Sequence, residues 1–93
     1  LQRLVSKGKI TADAAVRSMD RLRTAAALEE ACGGARVVVE SVPEVLELKV
    51  SVLQRAAAAA EGALLASNTS ALSVTELGAK VGAAPRVLGL HFF

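Results

Sequence analysis

Apolar positions recur along this chain at two periods, and the switch between them divides it. Leu1, Leu4 and Val5 have the spacing of a helix end, broken at Lys7-Gly8-Lys9. Thr11 is placed to N-cap a second helix, predicted over residues 12–22, with Asp13 in its first turn and an apolar stripe at Ala15, Val16, Met19 and Leu22. A helical turn over 27–32 ends at Gly33-Gly34. Beyond the glycines the texture becomes β-branched. Residues 36–42 (Arg-Val-Val-Val-Glu-Ser-Val) read as a strand buried on both faces, stopped by Pro43. Helical spacing returns from Glu44 through Leu46, Val50 and Leu53 into alanines 56–60, closing at Gly62. Residues 63–67 form a second short strand and Asn68-Thr69-Ser70 a polar loop. Ser73, with Glu76 three residues on, signals a capped helix running to about Lys80. Gly82 and Pro85 break it, and residues 86–90 make a third strand leading into His91.

From residue 36 the order is strand, helix, strand, helix, strand with short connections. Such alternation predicts right-handed crossovers and a parallel sheet.

Composition narrows the function classes. Ninety-three residues make one domain at most, and 53% apolar against 22% charged residues is too much to bury for a disordered tail. One cysteine, Cys32, permits no intrachain disulfide, which favours a reducing compartment such as the cytoplasm; one Cys and one His do not supply a four-ligand zinc site, so no metal is expected. The net charge of +2 is unevenly spread. Residues 1–23 carry six basic side chains against two acidic (net +4), and residues 24–93 five against seven (net −2). With no Trp or Tyr, and Phe only at 92 and 93, there is no stacking platform for nucleic acid, so the basic arm suits a phosphorylated ligand better. No apolar run reaches the length of a membrane span, and no secretory leader is visible. The chain opens at Leu1 within a helical pattern and stops just after a strand, as expected of a segment of a longer protein.

In open parallel sheets ligands bind beyond the carboxyl ends of the strands. Here those ends carry Glu40-Ser41-Val42-Pro43-Glu44, Ser67-Asn68-Thr69-Ser70, and His91, so three strands place polar groups on one rim. Singly, each has a plainer reading: Ser and Asn as turn residues, Glu44 as a helix N-terminal acid, His91 as a structural histidine.

Together, in order and spacing, Val38-Val39-Glu40-Ser41-Val42-Pro43-Glu44, Leu46-Glu47-Leu48-Lys49, Ser67-Asn68-Thr69-Ser70 and Arg86-Val87-Leu88-Gly89-Leu90-His91-Phe92-Phe93 resemble the NAD-binding domain of the 3-hydroxyacyl-CoA dehydrogenase family. Lys-Gly-Lys-Ile-Thr at 7–11 resembles the turn of its helical hairpin, so the likeness covers essentially the whole chain. The resemblance implies an α/β fold: the second half of a Rossmann-like parallel sheet, with three main strands (36–93), preceded by a helical hairpin segment (1–32), all part of one NAD-binding domain. It also implies roles for individual residues. His91 corresponds to the catalytic base that takes the 3-hydroxyl proton while hydride leaves for NAD, and an imidazole suits proton transfer at neutral pH. Ser70 corresponds to the serine that hydrogen-bonds the substrate oxygen beside the cofactor. Glu44 and Lys49 correspond to the pair that contacts the cofactor's ribose and phosphate region, Lys7 to a lysine approaching the CoA phosphates, and Asn68 to a residue shaping the substrate loop. The family's glycine-rich phosphate loop, the glutamate partner of its histidine and its helical carboxyl-terminal domain have no counterpart within these residues, and Ala71 stands where a second serine is usual.

The reading that follows is part of an NAD-dependent enzyme oxidising a 3-hydroxyacyl-CoA, its parent a cytoplasmic homo-oligomer acting in fatty acid metabolism without nucleic acid or membrane partners. Two alternatives stand beside it: a related dehydrogenase acting on a non-CoA hydroxy compound, and a non-catalytic interaction module whose rim residues are only caps and turns.

Overall fold

The computed structural model describes residues 1–91. Phe92 and Phe93, the last residues of the family motif, lie outside the described residues. The elements run α1 (Gln2–Ser6), α2 (Ala12–Asp20), α3 (Leu28–Cys32), β1 (Val37–Glu40), α4 (Leu46–Ala59), β2 (Leu64–Ser67), α5 (Val74–Val81), a 3₁₀ turn (Ala84–Arg86) and β3 (Val87–Gly89). Local chemistry sets most boundaries as the residue pattern predicts. Thr11 Oγ1 accepts from Ala14 N at 3.1 Å to open α2, and Ser73 Oγ accepts from Glu76 N at 3.2 Å to open α5. Gly82, at φ 82°, closes α5 in the left-handed region that only glycine enters cheaply.

The three strands form one parallel sheet in the order β1-β2-β3. The expected strand over 36–42 is shorter because its own acid ends it: Glu40 Oε1 accepts from Val42 N at 2.9 Å, curling the backbone away from the ladder before Pro43. Backbone bonds from Leu64 N to Arg36 O and from Asn68 N to Glu40 O, at 2.9 and 2.8 Å, mark the two ends of the β1–β2 pairing.

Side chains alternate across the sheet. Val38, Leu65 and Val87 face a core completed by Cys32 of α3, Leu53 and Ala56 of α4, and Leu77 and Val81 of α5. Leu53, Leu65 and Leu77 are wholly buried, each contributing roughly 1.5–3 kcal/mol over an exposed position. The opposite face carries Val37, Val39, Leu64 and Leu88, all substantially exposed. The expectation of a first strand buried on both faces is therefore corrected: α4 and α5 pack on one face of the sheet, with α3 against α4, and no described element covers the other.

Arg86 fastens the start of β3 to the entry of β2, its guanidinium donating to Ala63 O at 2.8 Å and Ala60 O at 2.7 Å. Gly89 sits where α5 crosses the end of β3, and a Cβ there would meet Val74 Cγ2 at 3.0 Å. The hairpin of α1 and α2 stands apart. It lengthens the molecule to 44 × 27 × 22 Å, with a radius of gyration of 15.6 Å where a compact chain of this length has about 12 Å. The stripe expected to bury α2 is uncovered: Val16, Met19 and Leu22 are each more than half exposed.

Candidate functional site

The carboxyl ends of the strands converge as the sheet rule requires, and beneath them lies a buried polar cluster. Glu40 and Ser67 are the last register partners of β1 and β2, and alternation turns both toward the helices. Both are buried, so their polar atoms need partners inside the protein. The Ser67 hydroxyl donates to Glu40 Oε2 at 2.5 Å, while Glu40 Oε1 accepts from Val42 N and from Lys49 Nζ, the latter at 2.5 Å. Lys49, one turn into α4, points its ammonium down onto this corner and also donates to Val42 O at 2.9 Å and to Glu44 Oε1 at 3.0 Å. Three N–H bonds thus meet three oxygens, and among the described residues no buried side-chain polar atom lacks a partner.

Burial alone would drive the Lys49 pKa down, but the hydrogen bonds and charges of Glu40 and Glu44 outweigh it and hold the ammonium above its ordinary range. Glu44 moves the other way: the Thr69 hydroxyl, at 2.7 Å from Oε2, and then Lys49 hold its carboxylate below the usual range. Thr69 faces two ways. While donating to Glu44 it accepts from Leu72 N at 3.1 Å and Ala71 N at 3.4 Å, bracketing Ser70.

The sequence-selected residues therefore separate into groups. Glu44, Asn68, Ser70 and His91 lie at the carboxyl ends of the strands, Glu44 with two-fifths of its side chain exposed and Ser70 and His91 open to solvent. Asn68 Nδ2 donates to Ser41 Oγ at 3.2 Å, tying the β2 loop to that of β1, and Leu90 N donates to Ser67 O at 2.9 Å, bringing the residue before His91 onto the same corner. Lys49 is not on the surface: it is wholly buried, so the direct contact with a cofactor that resemblance implies gives way here to a supporting position beneath Glu44. Lys7 is exposed in the α1–α2 turn, where no described ion pair or hydrogen bond joins it to the rim.

Glu40, Ser67 and Thr69 stand in the sequence motifs at the rim, but the sequence assigns them no role. The available signal was a carboxylate ending an apolar strand, Val37-Val38-Val39-Glu40, with a lysine nine residues later on the next helix. A charge in that setting demands a buried partner. Among the described residues no cluster of three His, Cys, Asp or Glu could hold a metal ion, and no helix is long and apolar enough to cross a membrane.

Comparison with known proteins places this chain among dehydrogenases. Residues 1–93 match the family model of the 3-hydroxyacyl-CoA dehydrogenase NAD-binding domain. The 3-hydroxyadipyl-CoA dehydrogenase of Escherichia coli is 37% identical over 96% of this chain and 19% of its own length. An L-carnitine dehydrogenase of Streptomyces griseus is 39% identical over 82% of the chain and 23% of its own length. Among solved structures, (S)-3-hydroxybutyryl-CoA dehydrogenase from Ralstonia eutropha superposes with a TM-score of 0.88 at 31% identity, covering 99% of this chain and 32% of that one. The chain thus spans less than a third of the length of these relatives.

Proposed function

Given that this chain belongs to the 3-hydroxyacyl-CoA dehydrogenase family, in its NAD-binding domain, we propose that its rim is the nicotinamide end of an active site that oxidises a 3-hydroxyacyl-CoA to the 3-oxoacyl-CoA. NAD is the family's cofactor. The polar groups at the rim fit part of it. The Glu44 carboxylate, the Ser41 and Ser70 hydroxyls and the Asn68 amide suit ribose hydroxyls and a carboxamide. They do not suit a pyrophosphate, because Lys49 is consumed by Glu40 and Glu44, leaving that trio with a formal charge of −1.

When bound, NAD supplies the acceptor for hydride from the substrate's C3. The remaining chemistry falls to this chain. His91 Nε2 or Nδ1 takes the hydroxyl proton as the C3–O bond becomes a carbonyl, and the Ser70 hydroxyl holds the same oxygen in line. Glu44 receives ribose hydroxyls at the mouth of the site, Lys49 and Glu40 brace Glu44 from beneath, and Asn68 sets the loop carrying Ser70. Residues 36–93 form the cofactor-facing unit. Residues 1–32 form a basic arm, with Lys7 at its tip, directed to the CoA phosphates; a homo-oligomeric cytoplasmic enzyme of fatty acid metabolism is the setting that fits.

The observation that carries this reading is the convergence of Glu44, Ser70 and His91 at the carboxyl ends of three adjacent parallel strands. A second reading, oxidation of a non-CoA hydroxy compound, is favoured by the L-carnitine dehydrogenase matches, yet these cover 71–82% of the chain where CoA-ester dehydrogenases cover 96–99%. The test is NADH formation by the intact protein with 3-hydroxybutyryl-CoA against L-carnitine. Turnover of the thioester alone supports the proposal, and turnover of carnitine alone replaces it.

A further inference from the structure

Resting on the reading of Ser70 as the substrate-contacting residue, we propose that Thr69 is a positioning residue: a hydroxyl clasp that sets the Ser70 loop against the carboxylate of Glu44. Ser70 itself is exposed and sits in a bend between β2 and α5, where backbone ladder bonds no longer define its place. Thr69, by contrast, is buried, and its single hydroxyl makes contacts in both directions. Its proton goes to Glu44 Oε2 at 2.7 Å, and its oxygen receives Leu72 N at 3.1 Å, with a longer contact from Ala71 N at 3.4 Å. The turn that presents Ser70 is thereby closed by the side chain that precedes it, as an ST-type turn.

The other end of the clasp is equally fixed. Glu44 Oε1 is held at 3.0 Å by Lys49 Nζ, and Lys49 is pinned in turn to Glu40 on β1. A continuous chain of contacts therefore runs from the register pair Glu40–Ser67, through Lys49 and Glu44, to Thr69 and the loop amides. Misplacing a reacting contact by about 1 Å can cost on the order of 10²-fold in rate, so a clasp one residue from Ser70 acts on turnover without touching substrate.

Thr69→Val and Thr69→Ser in the intact protein test this, because Val keeps the shape without the hydroxyl and Ser keeps the hydroxyl. With 3-hydroxybutyryl-CoA, Thr69→Val is expected to lower kcat about 10–100-fold while the KM for NAD moves less than about threefold. Thr69→Ser is expected to stay within about threefold of the parent. Amide hydrogen exchange at Ala71 and Leu72 should quicken in the Val variant alone. Parental kcat in Thr69→Val overturns the proposal, as does an equal loss in both variants. If the parent protein turns over no hydroxy compound, the functional reading fails by itself. Exchange at Ala71 and Leu72 then decides the clasp, and identical protection in parent and Val variant overturns it.

Discussion

Ser67 and Glu40 are joined twice, as the last Cα partners of the β1–β2 ladder and by a side-chain hydrogen bond of 2.5 Å between them. The register of the sheet and the polar cluster under the rim are consequently one feature. A slip of one residue would turn Glu40 to the uncovered face and strand Lys49 in the core without its carboxylate. The buried ion pair marks the correct register as well as supporting the rim.

That coupling makes Lys49→Met a stringent probe. Removing the ammonium leaves the buried Glu40 carboxylate with Ser67 and Val42 N as donors but no counter-charge. Breaking one side of a buried pair typically costs about 3–5 kcal/mol, whereas replacing both partners by apolar groups is often near neutral. Denaturant unfolding of the intact protein should therefore show Lys49→Met well destabilised and Glu40→Leu/Lys49→Met largely restored. A double variant no better than the single would mean that Lys49 acts through packing alone.

His91→Gln is expected to remove most turnover while leaving NAD affinity nearly unchanged, since loss of a positioned base costs about 10²–10⁴-fold in rate. Ser70→Ala should also lower kcat, and by more than Ala71→Ser changes it, position 71 having no hydroxyl to lose. Steady-state kinetics on the three variants decide the matter. Near-parental turnover in His91→Gln would remove it from the mechanism.

Lys7→Glu should raise KM for a CoA thioester without changing NAD binding. An exposed lysine acts toward phosphate as a point charge, so its effect should fade as salt is added. The comparison is with a truncated thioester lacking the nucleotide. Equal losses with both substrates would show that the basic arm serves something other than the CoA phosphates.

Away from the rim, Glu29 on α3 and Arg55 on α4 form a two-toothed ion pair, with Nε at 2.7 Å from Oε2 and Nη2 at 2.8 Å from Oε1. Hydrogen bonding by Arg55, then by the Glu29 backbone amide, lowers the Glu29 pKa from the ordinary 4.5 to about 2. A carboxylate depressed on folding adds stability that is fully present above its unfolded value and lost as pH falls through its folded value. The contribution of this pair should therefore disappear between about pH 4.5 and pH 2, and should be small because both side chains are half exposed. Titration of the Glu29 carboxyl by NMR in Arg55→Gln should return its midpoint toward 4.5. An unmoved midpoint would show that Arg55 is not the cause.

Element order and the caps at Thr11 and Ser73 were legible because each depends on neighbours within a few residues, and the three-strand rim because alternating strands and helices impose a parallel sheet with its carboxyl ends on one side. Glu40, Ser67 and Thr69 were not, because what makes them matter is spatial. Glu40 and Ser67 are 27 positions apart, and Thr69 and Glu44 are 25 apart. The same distinction explains Lys49. Resemblance implies a contact between it and the cofactor, and only the packing of α4 over the end of β1 shows it buried against Glu40. The apolar stripe of α2 was read correctly as a pattern, yet periodicity does not say whether a partner covers it.

The 93-residue chain taken by itself is expected to self-associate and not to bind NADH usefully. Val37, Val39 and Leu64 are 52, 44 and 45% exposed on the uncovered sheet face, and β1 stands at the edge of the described sheet. An apolar edge strand offers unpaired N–H and C=O groups to a second copy. Cofactor binding fails for a separate reason. The polar groups of the described rim suit sugar and amide groups and not a pyrophosphate, while a dinucleotide draws much of its hold from a glycine loop and helix N-terminus under the pyrophosphate, a motif these residues do not contain. Light scattering reports the association, and Val39→Lys, which charges the edge, should reduce it. NADH fluorescence titration reports the binding. A monodisperse monomer with micromolar NADH affinity would contradict both arguments and show that these residues build a complete site unaided.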